Sequence, residues 1–183
     1  MSDAGVAETN EQADERTYGG VLGTFPYAFR KSESRLFRSY VLVGGFVTVM
    51  LTLGFVLALI YLIGGSFGAQ AGVFTFSRSF YVVVALAVIA PMMAPVLFVA
   101  RHHRRGDADR GYDRALAASG YVFLLSLYGM LVISAPADLR DPASEYGVLA
   151  PTIEFFYGLP QLASLLLPLA AGILIYLVHR WRR

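Results

Sequence analysis

Cysteine is absent from this sequence of 183 residues, which excludes a disulfide framework, a thiolate nucleophile, a Cys-ligated zinc and an iron–sulfur cluster. Charge is scarce as well. Asp, Glu, Lys and Arg make up 15% of the chain, against about 25% in ordinary soluble domains, while apolar residues reach 56%. Lysine occurs once, as Lys31, beside fourteen arginines. The small formal net charge of +2 conceals a segregation that matters more than the sum. From Ser2 to Glu15 there are five acids (Asp3, Glu8, Glu11, Asp14, Glu15) and no base, with too few apolar residues to bury a core. Residues 1–16 are therefore expected to form a disordered acidic tail. A cleavable signal peptide starts basic and turns apolar at once, which this stretch does not do, so the first hydrophobic segment is expected to remain as an anchor.

Long uncharged runs are what the chain has instead. A hydrocarbon core of about 30 Å takes roughly 20 apolar helical residues to cross, because each backbone polar group must be satisfied within the helix. Four stretches reach that length: about Tyr40–Ile63, Phe80–Ala100, Ala115–Ala135 and Gln161–Val178, with no Asp, Glu, Lys, Arg or His inside them. The expected fold class is all-α, a polytopic four-helix transmembrane bundle spanning residues 40–183, preceded by a juxtamembrane segment at 17–39. Orientation follows from flanking bases, which stay cytoplasmic in short loops. Arg30, Lys31, Arg35 and Arg38 precede the first span. Arg101, Arg104, Arg105, Arg110 and Arg114 lie between the second and third, and Arg180, Arg182 and Arg183 follow the fourth. Only Arg78 and Arg140 fall on the other side. An even number of spans puts both termini on one side, and the charges make that side cytoplasmic, in a multi-pass protein of the cell membrane. Tyr40, Tyr61, Phe80, Tyr112 and Trp181 sit at span ends, where half-wet rings form an interfacial belt.

The connecting segments differ in kind. Gly64–Ser79, rich in Gly, Ser and Phe, reads as a short flexible connection. Pro136–Pro160 carries Asp138, Asp141, Glu145 and Glu154 against Arg140 alone, and Ala150–Tyr157 within it is expected as a short interfacial helix. Its length makes it the best external place for a partner or cation, although charge clusters more often simply face water. On the cytoplasmic side, Thr17–Phe29 is too short to span and too apolar to float, so it is expected to pack on the bundle or on lipid. Ser32 would then cap a helix running through Arg35 and Arg38 into the first span.

Signals of chemistry are weak. His102 and His103 with Asp107 and Asp109 could hold a divalent ion, but five arginines share that loop and adjacent histidines do not face one way on a helix. Gly19, Gly20 and Gly23 lack the strand, helix and lysine of a phosphate loop. No ionisable residue stands within the spans to activate a Ser or Thr nucleophile or to couple an ion. No metal, cofactor or nucleic-acid partner is expected. Small and helix-bending residues do recur at helical spacing. Gly44, Thr48 and Thr52 mark the first span and Ser164, Pro168 and Gly172 the fourth, while Pro91 and Pro95 flank Met92 and Met93 in the second. Such stripes let helix backbones approach closely, and the prolines imply kinks. Paired kinks could also shape a small cavity reached from the cytoplasm, to which Ser119, Tyr121, Ser126 and Tyr128 would supply hydroxyls.

The run YGGVLGTFPYAFRKSESRLFRSY, Tyr18–Tyr40, resembles the segment before the first span in uncharacterised four-span membrane proteins of halophilic archaea. The resemblance covers most of the chain and implies the four-span fold, but it implies no activity and assigns no site residue. The near-neutral charge departs from the acidic habit of halophile proteins, as a chain that mostly faces lipid would. The expectation from sequence is a non-enzymatic accessory or scaffold protein. It would have the lipid bilayer as its first partner and would act by associating with itself or another membrane protein. The alternatives are a small transporter or channel subunit with a cavity near Pro91, Pro95 and Pro168, and a membrane-embedded enzyme.

Overall fold

A computed structural model of the chain describes residues 20–65, 71–106 and 109–182. The expected acidic tail at 1–16, the start of the 17–39 segment, Asp107 and Arg183 lie outside the described residues. Within them every regular element is helical. Helix α1 covers Gly20–Lys31, α2 Arg35–Gly64, α3 Ala71–Arg104, α4 Arg110–Ser134, α5 Ala150–Tyr157 and α6 Ala163–Arg182. Four of these, α2, α3, α4 and α6, are long and apolar enough to cross a membrane.

The helices outrun the apolar stretches because their ends are set by caps and turns. Ser34, not Ser32, is the N-cap of α2: its backbone is extended and its hydroxyl accepts the Phe37 N–H at 3.3 Å. Arg35 and Arg38 are thus inside one continuous helix with the first span. Asp109 caps α4 by accepting the N–H groups of Gly111 and Tyr112 at 2.8 and 3.1 Å. Those bonds, Gly111 first, hold its carboxyl below the usual range. Past α3 the chain turns at Gly106 with φ +90°, a conformation that favours glycine. The connection expected at Gly64–Ser79 is shorter than foreseen, since α3 begins at Ala71 and takes in Arg78, half-buried; residues 66–70 of it lie outside the described ones.

Helix α4 is the hub. Of its apolar window 44% is buried, against 6% for α2, 22% for α3 and 17% for α6. It packs against α2, α3 and, most extensively, α6, whose buried Ser164, Ala171 and Ile175 share a face. The outer face of α2 presents Leu42, Phe46, Val49, Leu53, Leu57 and Ile60, all exposed. A stripe this apolar on the outside of a bundle suits a hydrocarbon surround rather than water. Helix α1 lies against α3 and α2, with Ala28 fully buried. At the far end, Arg140 crosses from the connection to the carbonyls of Ala135 and Tyr157, each 3.0 Å away, and stacks over the Tyr157 ring. A cation on orphan carbonyls at the ends of α4 and α5 is favoured by both hydrogen bonding and the helix dipoles.

Candidate functional site

One end of the bundle gathers the basic residues. Arg30, Lys31, Arg35, Arg38, Arg101, Arg104, Arg105, Arg180 and Arg182 are all exposed there. Beneath them lies a polar cluster that sequence reasoning missed. Asp113 is buried one turn into α4, where the helix N-terminus favours its negative charge. His103 of α3 reaches both its oxygens through Nε2, at 3.1 and 3.0 Å, and Ser32 donates its hydroxyl at 2.5 Å. The N–H of Ser34 then donates to the Ser32 hydroxyl, and Arg38 to the Ser32 carbonyl. Beside this group the Tyr112 hydroxyl meets Nδ1 of His179 at 2.6 Å. His102 stacks on the Tyr112 ring and Phe98 on the His179 ring, with centroids 4.2 and 4.1 Å apart. The ends of α1, α3, α4 and α6 are therefore tied together by buried polar side chains.

The chemistry of this cluster is that of a clasp. The serine donates to the carboxylate and not to the imidazole, so the serine-to-histidine bond of a Ser–His–Asp triad is not made here. His102 and His103 turn to different partners, Tyr112 and Asp113, which separates two of the residues weighed as ligands in the loop. One signal for the cluster was present in the sequence. Asp113 stands three, four and seven residues before Leu116, Ala117 and Gly120, on the small and apolar face of α4 that the bundle buries.

The aromatic belt needs correction at two positions. Tyr61, Phe80 and Trp181 are exposed, but Tyr40 and Tyr112 are completely buried. Tyr40 lies over Gly120 of α4 and donates its hydroxyl to the Met92 carbonyl of α3 at 2.7 Å. The missing N–H of Pro95 leaves the carbonyl four residues back, that of Pro91, without its helical donor, so the Tyr40 bond falls one residue beyond this gap in the ladder. Gly44 packs beneath the same ring, while the Thr48 and Thr52 hydroxyls return to the carbonyls four residues before them. Ser164 likewise bonds a nearby carbonyl, that of Gln161 in the turn before α6. Pro95 is buried in the core.

Pro91, Pro168 and Gly172 come together elsewhere. Helices α3 and α6 touch at Phe98 and His179 and approach again at Pro91 and Gly172, where a Cβ on the glycine would meet the proline ring and Phe123 of α4 at 3.9 Å. Between them is an apolar cleft of about 750 Å³ lined by these residues, with Tyr176 at its edge. The hydroxyls expected to serve such a cavity do not reach it. Ser119 and Ser126 bond the carbonyls of Leu116 and Phe123, Tyr121 pairs with Ser39, and Tyr128 is exposed. Past the Phe98–His179 stack a second hollow of about 90 Å³ is bounded by Arg101, His102 and Arg105.

Fold and site together define an all-helical bundle with four membrane-length helices, a buried Asp–His clasp and a lateral apolar cleft. The chain belongs to the family described as a domain of unknown function, DUF8056, whose model matches residues 1–183. No curated protein matches it, and no solved structure does.

Proposed function

We propose that this chain is a multi-pass protein of the cell membrane with both termini cytoplasmic, and that it works without catalysis by receiving an apolar partner from the lipid phase in its lateral cleft. The observation that carries this reading is the cleft itself, a volume within the range of small-molecule sites, walled by aliphatic and aromatic side chains between two proline-containing helices. The twelve bases beside the spans on one side support the orientation. The small-residue positions of α2 are taken up inside the chain by Tyr40 and by backbone carbonyls, so association through the cleft is favoured over association through that stripe. The same apolar walls argue against a route for ions, which need polar groups in place of their hydration.

Absence of cysteine makes the tests direct. In intact cells a membrane-impermeant maleimide is expected to label Val148→Cys and to leave Arg182→Cys unlabelled until the membrane is opened; the reverse pattern would overturn the orientation. A photoactivatable fatty acid is expected to form adducts at Leu127 and Leu169 well above those at Phe46 and Leu57 on the outer face of α2. Gly172→Leu, which projects into the cleft, should remove that excess. Even labelling of all four positions would overturn the cleft as a site.

A further inference from the structure

We propose that the occupant of the cleft is a phosphate-headed membrane lipid, seated with its acyl chain along α3 and its phosphate against Arg101 and Arg105. The inference rests on the reading of the cleft given above and adds the chemistry of its ligand. Val84, Ala87, Pro91, Ala94 and Phe98 line the cleft, and Phe98, Arg101 and Arg105 line the smaller hollow. These seven positions advance by alternating steps of three and four residues, so they form one stripe on a single face of α3. That stripe is apolar up to Phe98 and cationic from Arg101 onward. Its apolar part rises about 21 Å at 1.5 Å per residue, enough for a chain occupying the roughly 15 Å depth of one leaflet.

The cationic part fits a phosphate. Guanidinium groups present paired N–H donors that match phosphate oxygens, and Arg101 and Arg105 are exposed one turn apart. Among the described residues neither has an acidic partner. Their neighbours differ: Arg104 lies over the Tyr27 ring and Arg110 is paired with Glu33. Asp109, whose charge reaches His102, is itself engaged by the N–H groups of Gly111 and Tyr112. The hollow, at about 90 Å³, takes a headgroup and is far below the roughly 300 Å³ of a drug-sized site. Phe98 lines both compartments, held by its stack on His179, which the Tyr112 hydroxyl fixes in turn. A molecule with one apolar end and one anionic end satisfies both compartments. A bilayer supplies such a molecule with its head at the depth of the arginines.

The test uses the purified full chain in mild detergent, with binding read by native mass spectrometry. The probes are an oleoyl lysophosphatidic acid, the oleoyl lysolipid with a choline head, and inorganic phosphate. The phosphate-headed lipid is expected to bind about tenfold tighter than the choline-headed one, with inorganic phosphate alone showing no retained binding. Arg101→Gln with Arg105→Gln should abolish that preference, whereas Arg35→Gln, at the same end but on α2, should keep it. Equal affinity for the two lipids, a preference surviving the double substitution, or retention of inorganic phosphate by itself would each overturn the assignment. Gly172→Leu separates the two levels of the argument. If it weakens both lipids while wild type does not discriminate between heads, the cleft stands and only the headgroup assignment falls. If it changes neither, the cleft reading falls with it.

Discussion

Gly120→Ala offers the sharpest test of how the bundle is held. A Cβ at Gly120 would sit 2.5 Å from Cε2 of Tyr40 and 2.7 Å from its hydroxyl oxygen, where ordinary contact begins at about 3.4 Å. The ring must therefore retreat by roughly 0.9 Å, which stretches the 2.7 Å bond to the Met92 carbonyl to about 3.6 Å and breaks it. Overpacking costs ~1–3 kcal/mol and an unsatisfied buried hydroxyl ~1–3, while alanine regains up to ~1 in helix propensity. The net destabilisation is about 3 kcal/mol, measurable by reversible unfolding in mixed micelles. Gly54→Ala is the control, because nothing lies within 4 Å of that position, and it should be neutral or slightly stabilising. In a Tyr40→Leu background the ring is gone and Gly120→Ala should become harmless, giving a coupling of about 2–3 kcal/mol. Additive effects, within about 0.5 kcal/mol, would refute the claim that this ring and this glycine join α2, α3 and α4.

Ser32→Ala removes a hydrogen bond to a buried carboxylate, worth about 2 kcal/mol, and should expose 20–34 to limited proteolysis before the bundle itself loosens; unchanged cleavage there would count against the clasp. Arg140→Ala strips the donors from the ends of α4 and α5 and should speed amide hydrogen exchange across Ala150–Tyr157, with the α1 amides unaffected. The folded carboxyl of Asp109 is held below its ordinary value of about 3.9, so its ionised form contributes stability above that pH and loses it as pH falls through the lower, folded value. The stability difference between wild type and Asp109→Ala should accordingly be constant from pH 7 to about 5 and shrink below about 4; a difference independent of pH would show that the charge is immaterial to the cap.

What a sequence exposes depends on whether the signal is local or assembled from distant parts. The four long helices were legible, since uncharged runs of about 20 residues follow from backbone hydrogen bonding alone. So was the short helix at Ala150–Tyr157, which the structure contains with those same bounds. The cap was misplaced by two residues because both Ser32 and Ser34 have a capping side chain, and only the position of Asp113, 81 residues away from Ser32, decides which is drawn off. Tyr40 and Tyr112 read as belt residues from their places at span ends. Their burial depends on a glycine hollow on α4 and on a histidine in α6, neither of which periodicity reports. The cleft was half visible: of the three prolines expected near a cavity, Pro91 and Pro168 line it, with Gly172 of the small-residue stripe, but Pro95 faces the core.

The two ends of α3 explain why a cleft can persist beside so tight a clasp. At the arginine-rich end, His103 and Phe98 hold α3 to α4 and α6 through Asp113 and His179. Farther along, the two helices face each other across the cleft through apolar residues, Pro91 and Pro168 among them. The walls of the cleft are almost wholly apolar, and apolar surface left facing water rather than hydrocarbon is unfavourable by about 25 cal/mol per Å². Hydrocarbon must therefore fill the cleft in the proposed setting, and an opening to the side lets it enter. Because the filling chain ends at Phe98, whatever it carries as a head is delivered to Arg101 and Arg105. Loosening the clasp by Ser32→Ala or Asp113→Asn should on this reasoning weaken lipid retention even though neither residue borders the cleft, since the Phe98–His179 contact that closes it is anchored through them.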